Sequence, residues 1–298
     1  MRVGVVGATG FVGRSLVAAL IARGDEVVAF SRDPARARRS LPAGAEARAL
    51  EAITAEGVAD LDAMVNLAGE PVGAKRWDDA FRAAIRESRV RTTRRVVDAI
   101  AGATPRPRVL VNASAVGFYG PRGDEEVTEA APPGNDFLAG VCRDWEREAE
   151  RAGAVGAREV RLRIGVVLGD GGGSLERMLL PFKLFVGGPV GDGRQWFPWV
   201  HLADVVGVTL WALDHDDLRG PVNVTAPEPV RFRDFAEALG RRMHRPSWLP
   251  VPAFALRLAL GQMAEVVVTG QRAVPAALLA SGYAFKYPRV AEALAAAV

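Results

Sequence analysis

Three glycines spaced three apart, in Gly7-Ala8-Thr9-Gly10-Phe11-Val12-Gly13, form the stretch of this chain whose residue types and spacing point most directly to chemistry. That chemistry is anion capture. At the first turn of a helix the main-chain NH groups lack intrahelical partners, and together with the helix dipole they favour a negatively charged group. Gly7 permits a tight turn, Gly10 lets a pyrophosphate approach the main chain, and Gly13 lets the helix pack closely on the preceding strand. The flanks agree with this reading. Val3-Gly4-Val5-Val6 is a short β-branched run, and Leu16, Val17, Leu20 and Ile21 follow at helical spacing. Thr9, Phe11 and Val12 complete the expected phosphate-binding turn.

A second chemically informative pair sits at the end of the next predicted strand, Glu26-Val27-Val28-Ala29-Phe30, which runs into Ser31-Arg32-Asp33. An acidic residue at this place accepts from the 2′-hydroxyl of NAD, whereas a nearby arginine accommodates the 2′-phosphate of NADP. Ser31 stands 18 residues beyond Gly13 and Arg32 follows it directly. A hydroxyl and a guanidinium attract a phosphate through charge-assisted bonds, so the expected cofactor is NADP (NADPH). Asp33 keeps NAD as the alternative, and Arg36, Arg38 and Arg39 read as a solvated helix face.

Further candidates lie at the ends of later strands. Ala63 to Pro71 reads as a buried strand ending in small residues, with Leu67, Ala68, Gly69 and Glu70 at the edge where a cofactor ribose can lie against the backbone. Arg108-Val109-Leu110-Val111-Asn112 begins the next strand and leads to Ser114 and Tyr119. Tyrosines occur only at 119, 283 and 287, and Tyr119 is the one expected near the sheet edge, which makes it the candidate proton donor beside Glu70 and His201. A phenol with no cation beside it keeps a pKa near ~10 and donates slowly at neutral pH.

These positions require strands and helices in alternation. The expected fold is α/β, a doubly wound parallel sheet with a smaller C-terminal substrate lobe. Residues 1–168 with 200–226 would form the nucleotide-binding core, and 169–199 with 227–298 the lobe. A chain of 298 residues with 49% hydrophobic content can bury such a core. The net charge of +3 comes almost wholly from arginine, since lysine occurs only at 75, 183 and 286, and it reads as a compositional bias of bacterial type rather than a nucleic-acid footprint. Cys142 is the single cysteine, which excludes an internal disulfide and a multi-cysteine metal site and fits a reducing cytoplasm. Histidines at 201, 215 and 244 suggest no metal site, and no signal peptide or membrane span is expected.

Toward the C-terminus Gly171-Gly172-Gly173-Ser174 reads as a hinge or a phosphate-receiving turn, with hinge favoured. Trp196, Phe197, Trp199 and His201 read either as a flat wall beside a cofactor or as a seal between lobe and core. Asp204 is expected to cap a helix or bind His201. Val266-Val267-Val268 reads as a strand, and Tyr283, Phe285 and Tyr287 alternate as an edge strand does. The segments 77–100 and 136–152 read as helices that could form a homodimer seam, although the arginines of the first leave a monomer equally open.

The glycine spacing, with Ala8-Thr9 and Phe11-Val12, resembles the extended short-chain dehydrogenase/reductase superfamily. That resemblance implies a dinucleotide cofactor, a serine or threonine four residues before the Tyr119-Gly120 pair, and a Tyr-x-x-x-Lys dyad. The chain departs on both counts. Ala115 occupies the first place, leaving Ser114 as a structural or cofactor-contacting residue, and no tyrosine is followed four residues on by lysine. Aligning Glu146 with the acidic residue that follows the dyad puts Leu138 at the tyrosine and Cys142 at the lysine. Phe118-Tyr119-Gly120, Pro133 to Phe137, Cys142 with Trp145-Glu146, Gly193 to His201 and Gly270 to Pro275 resemble an atypical branch, the "epimerase family protein" group. Its members are often labelled nucleoside-diphosphate-sugar epimerase or SulA-like, and they carry a C-terminal domain of unknown function. The resemblance implies NADP binding with an unassigned small-molecule substrate or protein partner. Two functions follow from it, an oxidoreductase or epimerase-like enzyme with a replacement acid, and a catalytically silent nucleotide-binding regulator.

Overall fold

A computed structural model describes residues 1–298. Seven strands, β1 (Arg2–Val6), β2 (Glu26–Ser31), β3 (Ala45–Ala49), β4 (Ala63–Asn66), β5 (Val109–Ala115), β6 (Arg158–Ile164) and β7 (Gly220–Val224), form one sheet. Their order is β7-β6-β5-β4-β1-β2-β3, and every pairing is parallel. The chain therefore winds outward in both directions from β1, and the reversal falls between β1 and β4. A crevice opens there beyond the carboxyl ends of the strands. Register brings Val6 beside both Phe30 and Asn66, and Asn66 beside Asn112, so the loops after β1, β2, β4 and β5 emerge at one edge.

Strand alternation feeds two apolar layers. Val3, Val5, Val65, Val111 and Leu162 face the helices Phe11–Ala22 and Leu202–Asp214 through Leu16, Leu20, Val205 and Val208. Val28, Phe30, Met64 and Leu110 face the opposite side, where Val96, Val97, Ile100 and Ala152 come from the helices Asp79–Gly102 and Phe137–Ala154. Burial on both faces is why the strands read as nearly continuous apolar runs.

The C-terminal lobe has its own core of Phe182, Phe197, Trp199, Phe232, Phe235 and Leu294. Helices Gly173–Lys183, Phe232–Met243, Ala253–Leu260 and Val290–Ala297 surround it. Two readings of this region are corrected. Glu265–Val268 is a helical turn, which shows tertiary context overriding β propensity. Tyr283, Phe285 and Tyr287 belong to no strand, because the NH groups of Lys286 and Tyr287 donate to the buried Asp204 carboxylate at 2.7 and 3.0 Å in place of a neighbouring strand. No helix is long and apolar enough to cross a membrane.

Candidate nucleotide site

The glycine turn is shaped by contacts that a side chain would destroy. Gly7 has φ +84°, and a Cβ added there would lie 2.9 Å from the Leu67 carbonyl carbon. One added at Gly13 would lie 2.8 Å from both Ala8 Cα and the Ala8 carbonyl carbon. Backbone cannot yield as a flexible side chain can, so the turn and the helix after it depend on these two glycines. Gly10 takes the N-cap position of the helix Phe11–Ala22, which has no side-chain cap and no acidic residue in its first turn. Its first amides therefore face outward without an intramolecular acceptor. A cradle of this form fits a pyrophosphate.

At the end of β2 the three candidate polar residues separate in role. Asp33 caps the helix Pro34–Ser40, its carboxylate accepting from the Arg36 amide at 2.9 Å. The Ser31 hydroxyl accepts from the Asp33 amide at 3.2 Å, which holds the loop in place. Arg32 is exposed beside them and donates to no protein group. With Asp33 committed to its helix, the group left for a ribose substituent is a guanidinium.

Beyond β4, Leu67 lies under Gly7, and its amide donates to the Val6 carbonyl at 2.9 Å. Ala68 donates its amide to Asn66 Oδ1 at 3.2 Å, and the Glu70 amide donates to the Ser88 hydroxyl at 3.0 Å. A buried polar ladder holds this loop rigid. Asn66 Nδ2 donates to Thr93 Oγ1 at 2.9 Å and to Asn112 Oδ1 at 2.7 Å, while the Trp145 indole NH donates to Thr93 Oγ1 at 2.8 Å. The rungs tie β4 to β5, β4 to the helix Asp79–Gly102, and that helix to Phe137–Ala154, and a paired ladder of this kind fixes one arrangement. Sequence reading missed it because its members are far apart in the chain.

The same ladder supports an unexpected residue. Arg89 reads from sequence as one of several solvated arginines on its helix, but its guanidinium is partly buried against Gly69 and stands 5.2 Å from the Trp145 ring centroid. Its Nη1 donates to the carbonyls of Ile85 and Glu70 at 2.9 and 3.0 Å.

Of the three candidate proton donors, Tyr119 and His201 are engaged with other groups of the chain. Tyr119 has no exposed surface; its hydroxyl donates to Asn223 Oδ1 at 2.6 Å and accepts from Arg163 Nη1 at 2.8 Å. Burial pushes the phenol above its ordinary value, against the pull of Arg163. This geometry speaks against the acid role expected of Tyr119, since a donor must reach the reacting group. Ser114, also buried, gives its hydroxyl to Glu146 Oε1 at 2.6 Å, and Arg163 pairs with both Glu146 oxygens at 2.9 and 2.8 Å. His201 is the N-cap of the helix Leu202–Asp214; its Nδ1 accepts from the Ala203 amide at 3.1 Å, and burial holds the imidazole below the usual histidine value. Asp204 neither caps that helix nor binds His201, because the C-terminal segment takes its carboxylate.

From the lobe, the glycine run at 171–173 closes on the phosphate turn instead of acting as a free hinge. A Cβ at Gly172 would lie 3.1 Å, and one at Gly173 2.7 Å, from the Phe11 ring. Trp199 and Phe197 are buried in the lobe, so the sealing role is theirs. Trp196 instead lines a cleft of about 600 Å³ with Asp124, Arg194, Arg231 and Gly270. Arg231 lies 3.8 Å from the Trp196 ring centroid and donates to Asp124 at 2.6 Å. No three His, Cys, Asp or Glu side chains gather as a metal site would require.

Comparison with known proteins agrees with this architecture. Residues 3–225 match the NAD dependent epimerase/dehydratase family, and 251–297 match a domain of unknown function, DUF1731. The chain is 43% identical over 301 residues to a chloroplastic SDR39U1 homolog of Arabidopsis thaliana, covering 99% of this chain and 86% of that protein. It is 37% identical over 288 residues to the epimerase family protein YfhF of Bacillus subtilis, covering 96% and 94%. The crystal structure of human epimerase family protein SDR39U1 with NADPH superposes with a TM-score of 0.88 at 35% identity, over 99% of this chain and 98% of that one.

Proposed function

This chain belongs to the NAD dependent epimerase/dehydratase family, and from that premise we propose that it binds NADP(H) as an oxidoreductase-type protein working without a Tyr-x-x-x-Lys dyad. The observation that carries the reading is the division of labour after β2: Asp33 is spent on a helix cap while Arg32 stays free. In this reading the amides after Gly10 hold the pyrophosphate, Gly7, Thr9, Phe11, Val12 and Gly13 shape that turn, and Ser31 and Arg32 receive the 2′-phosphate. Leu67, Ala68, Gly69 and Glu70 floor the ribose side, while Ser114, its hydroxyl given to Glu146, takes the structural one of its two expected roles. Bound NADPH supplies hydride. Residues 1–168 with 200–226 form the binding body, and 169–199 with 227–298 cover it. The solved human relative with NADPH supports the choice of nucleotide. Isothermal titration tests it, with NADPH expected to bind more tightly than NADH; the reverse order would falsify it.

A second reading, a nucleotide-dependent regulator without turnover, is favoured by the occupied state of Tyr119 and His201. Incubating the protein and NADPH with carbonyl compounds and sugar nucleotides separates the two. Consumption of NADPH or formation of an epimer supports the enzyme, and neither result supports the regulator.

A further inference from the structure

Arg89 is a cation with an incomplete set of partners. A guanidinium has five NH donors, and here Nη1 alone is engaged, by two backbone carbonyls. Nε and Nη2 donate to nothing in the protein and are not sealed from solvent. No carboxylate lies within ion-pair distance. The ionisable groups facing it are Cys142, whose thiol burial pushes up to about 12 and so keeps neutral, and Glu70. Burial of the guanidinium works against its charged form and lowers its pKa, outweighing the opposite pull of Glu70. A partly buried charge in this condition is costly unless a ligand completes its bonding.

The free side of Arg89 faces the nucleotide loop. A Cβ added at Gly69 would lie 3.1 Å from Nη2 and 3.3 Å from Nε, so those two nitrogens abut the main chain just past β4. A dinucleotide lying across the crevice from the glycine turn passes this loop with its nicotinamide half. Cys142, one of the two ionisable neighbours of Arg89, stands where sequence alignment puts the lysine of related enzymes.

Resting on the NADP(H) reading, we propose that Arg89, from the helix Asp79–Gly102, supplies the cation that holds the nicotinamide ribose. Nη2 and Nε donate to the ribose hydroxyls. Trp145, locked by Thr93, holds the guanidinium from below, and the absence of a side chain at Gly69 leaves room for it.

The test compares two ligands by isothermal titration, NADPH and adenosine 2′,5′-bisphosphate, which keeps the 2′-phosphate but has no nicotinamide half. Arg89→Met is expected to bind NADPH about ten- to a hundredfold more weakly than the parent, with its affinity for the bisphosphate within about twofold. An equal loss for both ligands, or no loss for either, overturns the proposal. Should Arg89→Met fail to fold, Arg89→Lys carries the test, because it keeps the charge but not the planar fork. A smaller shift of the same affinity ratio is then expected, and an unchanged ratio overturns the assignment. If the parent protein binds neither ligand, the NADP(H) reading fails and this inference with it; if the parent binds both, only the role of Arg89 is at stake.

Discussion

Two stretches of the same sheet edge treat their polar groups in opposite ways. After β1, β2 and β4 the first helix amides following Gly10, the guanidinium of Arg32 and two nitrogens of Arg89 have no acceptors in the chain. Around the ends of β5, β6 and β7, Tyr119, Asn223, Arg163, Glu146 and Ser114 satisfy one another in a sealed cluster. The second region holds more residues of catalytic type and less capacity to bind anything. Unsatisfied donors mark where a ligand belongs; mutually satisfied ones mark where strands are tied together.

The largest test of this contrast is Gly13→Val, which drives a branched side chain into the Gly7 carbonyl and the Ala8 backbone. Saturable NADPH uptake should vanish in titration calorimetry; retained binding would put the nucleotide somewhere else. In the closed region, Glu146→Ala strands Arg163, whose side chain is 4% exposed. That should cost about 3–5 kcal/mol in denaturant unfolding, while NADPH affinity at the remaining folded protein stays near the parent value.

Arg32→Glu sharpens the open side. Replacing an attracting charge with a repelling one should lower the NADPH to NADH affinity ratio about ten- to a hundredfold, with stability changed by no more than about 0.5 kcal/mol because Arg32 is exposed. On the closed side Tyr119→Phe removes the acceptor for Arg163 Nη1 and the donor for Asn223. A loss of about 1–3 kcal/mol of stability is expected, with any NADPH-consuming activity of the folded protein unchanged. Abolished turnover in a stably folded variant would return the acid role to Tyr119.

The strand, glycine turn and helix at the start of the chain were legible in the sequence because their pattern is local, three elements in direct succession. Arg89 was not, since nothing along Asp79–Gly102 separates one arginine from its neighbours until Gly69 and Trp145 are placed against it. The partners of Tyr119 were hidden for the complementary reason. Its type suggests proton transfer, but its partner Asn223 stands 104 residues away. The Tyr283, Phe285 and Tyr287 alternation likewise imitates a strand until Asp204 is seen taking the backbone donors.

The smallest expected effect concerns pH. Burial lowers the folded-state pKa of His201 below its unfolded value, so the folded protein binds fewer protons there. The resulting stability is present above the ordinary histidine range, near ~6.5, and is lost as pH falls from there through the folded pKa. Melting curves between neutral and mildly acidic pH should show this component in the parent and lack it in His201→Asn, which can still cap the helix.

The contact between Phe11 and the run at 171–173 joins the two halves of the molecule in an unusual currency, namely which letters the gene may spell. In a library randomised at these three codons and selected for NADPH retention, position 173 should return glycine almost invariably, since both its φ of +77° and the aromatic ring exclude anything larger. Position 172 should be nearly as strict, whereas 171, with φ +73° and nothing within 4 Å of an added Cβ, should admit asparagine or aspartate.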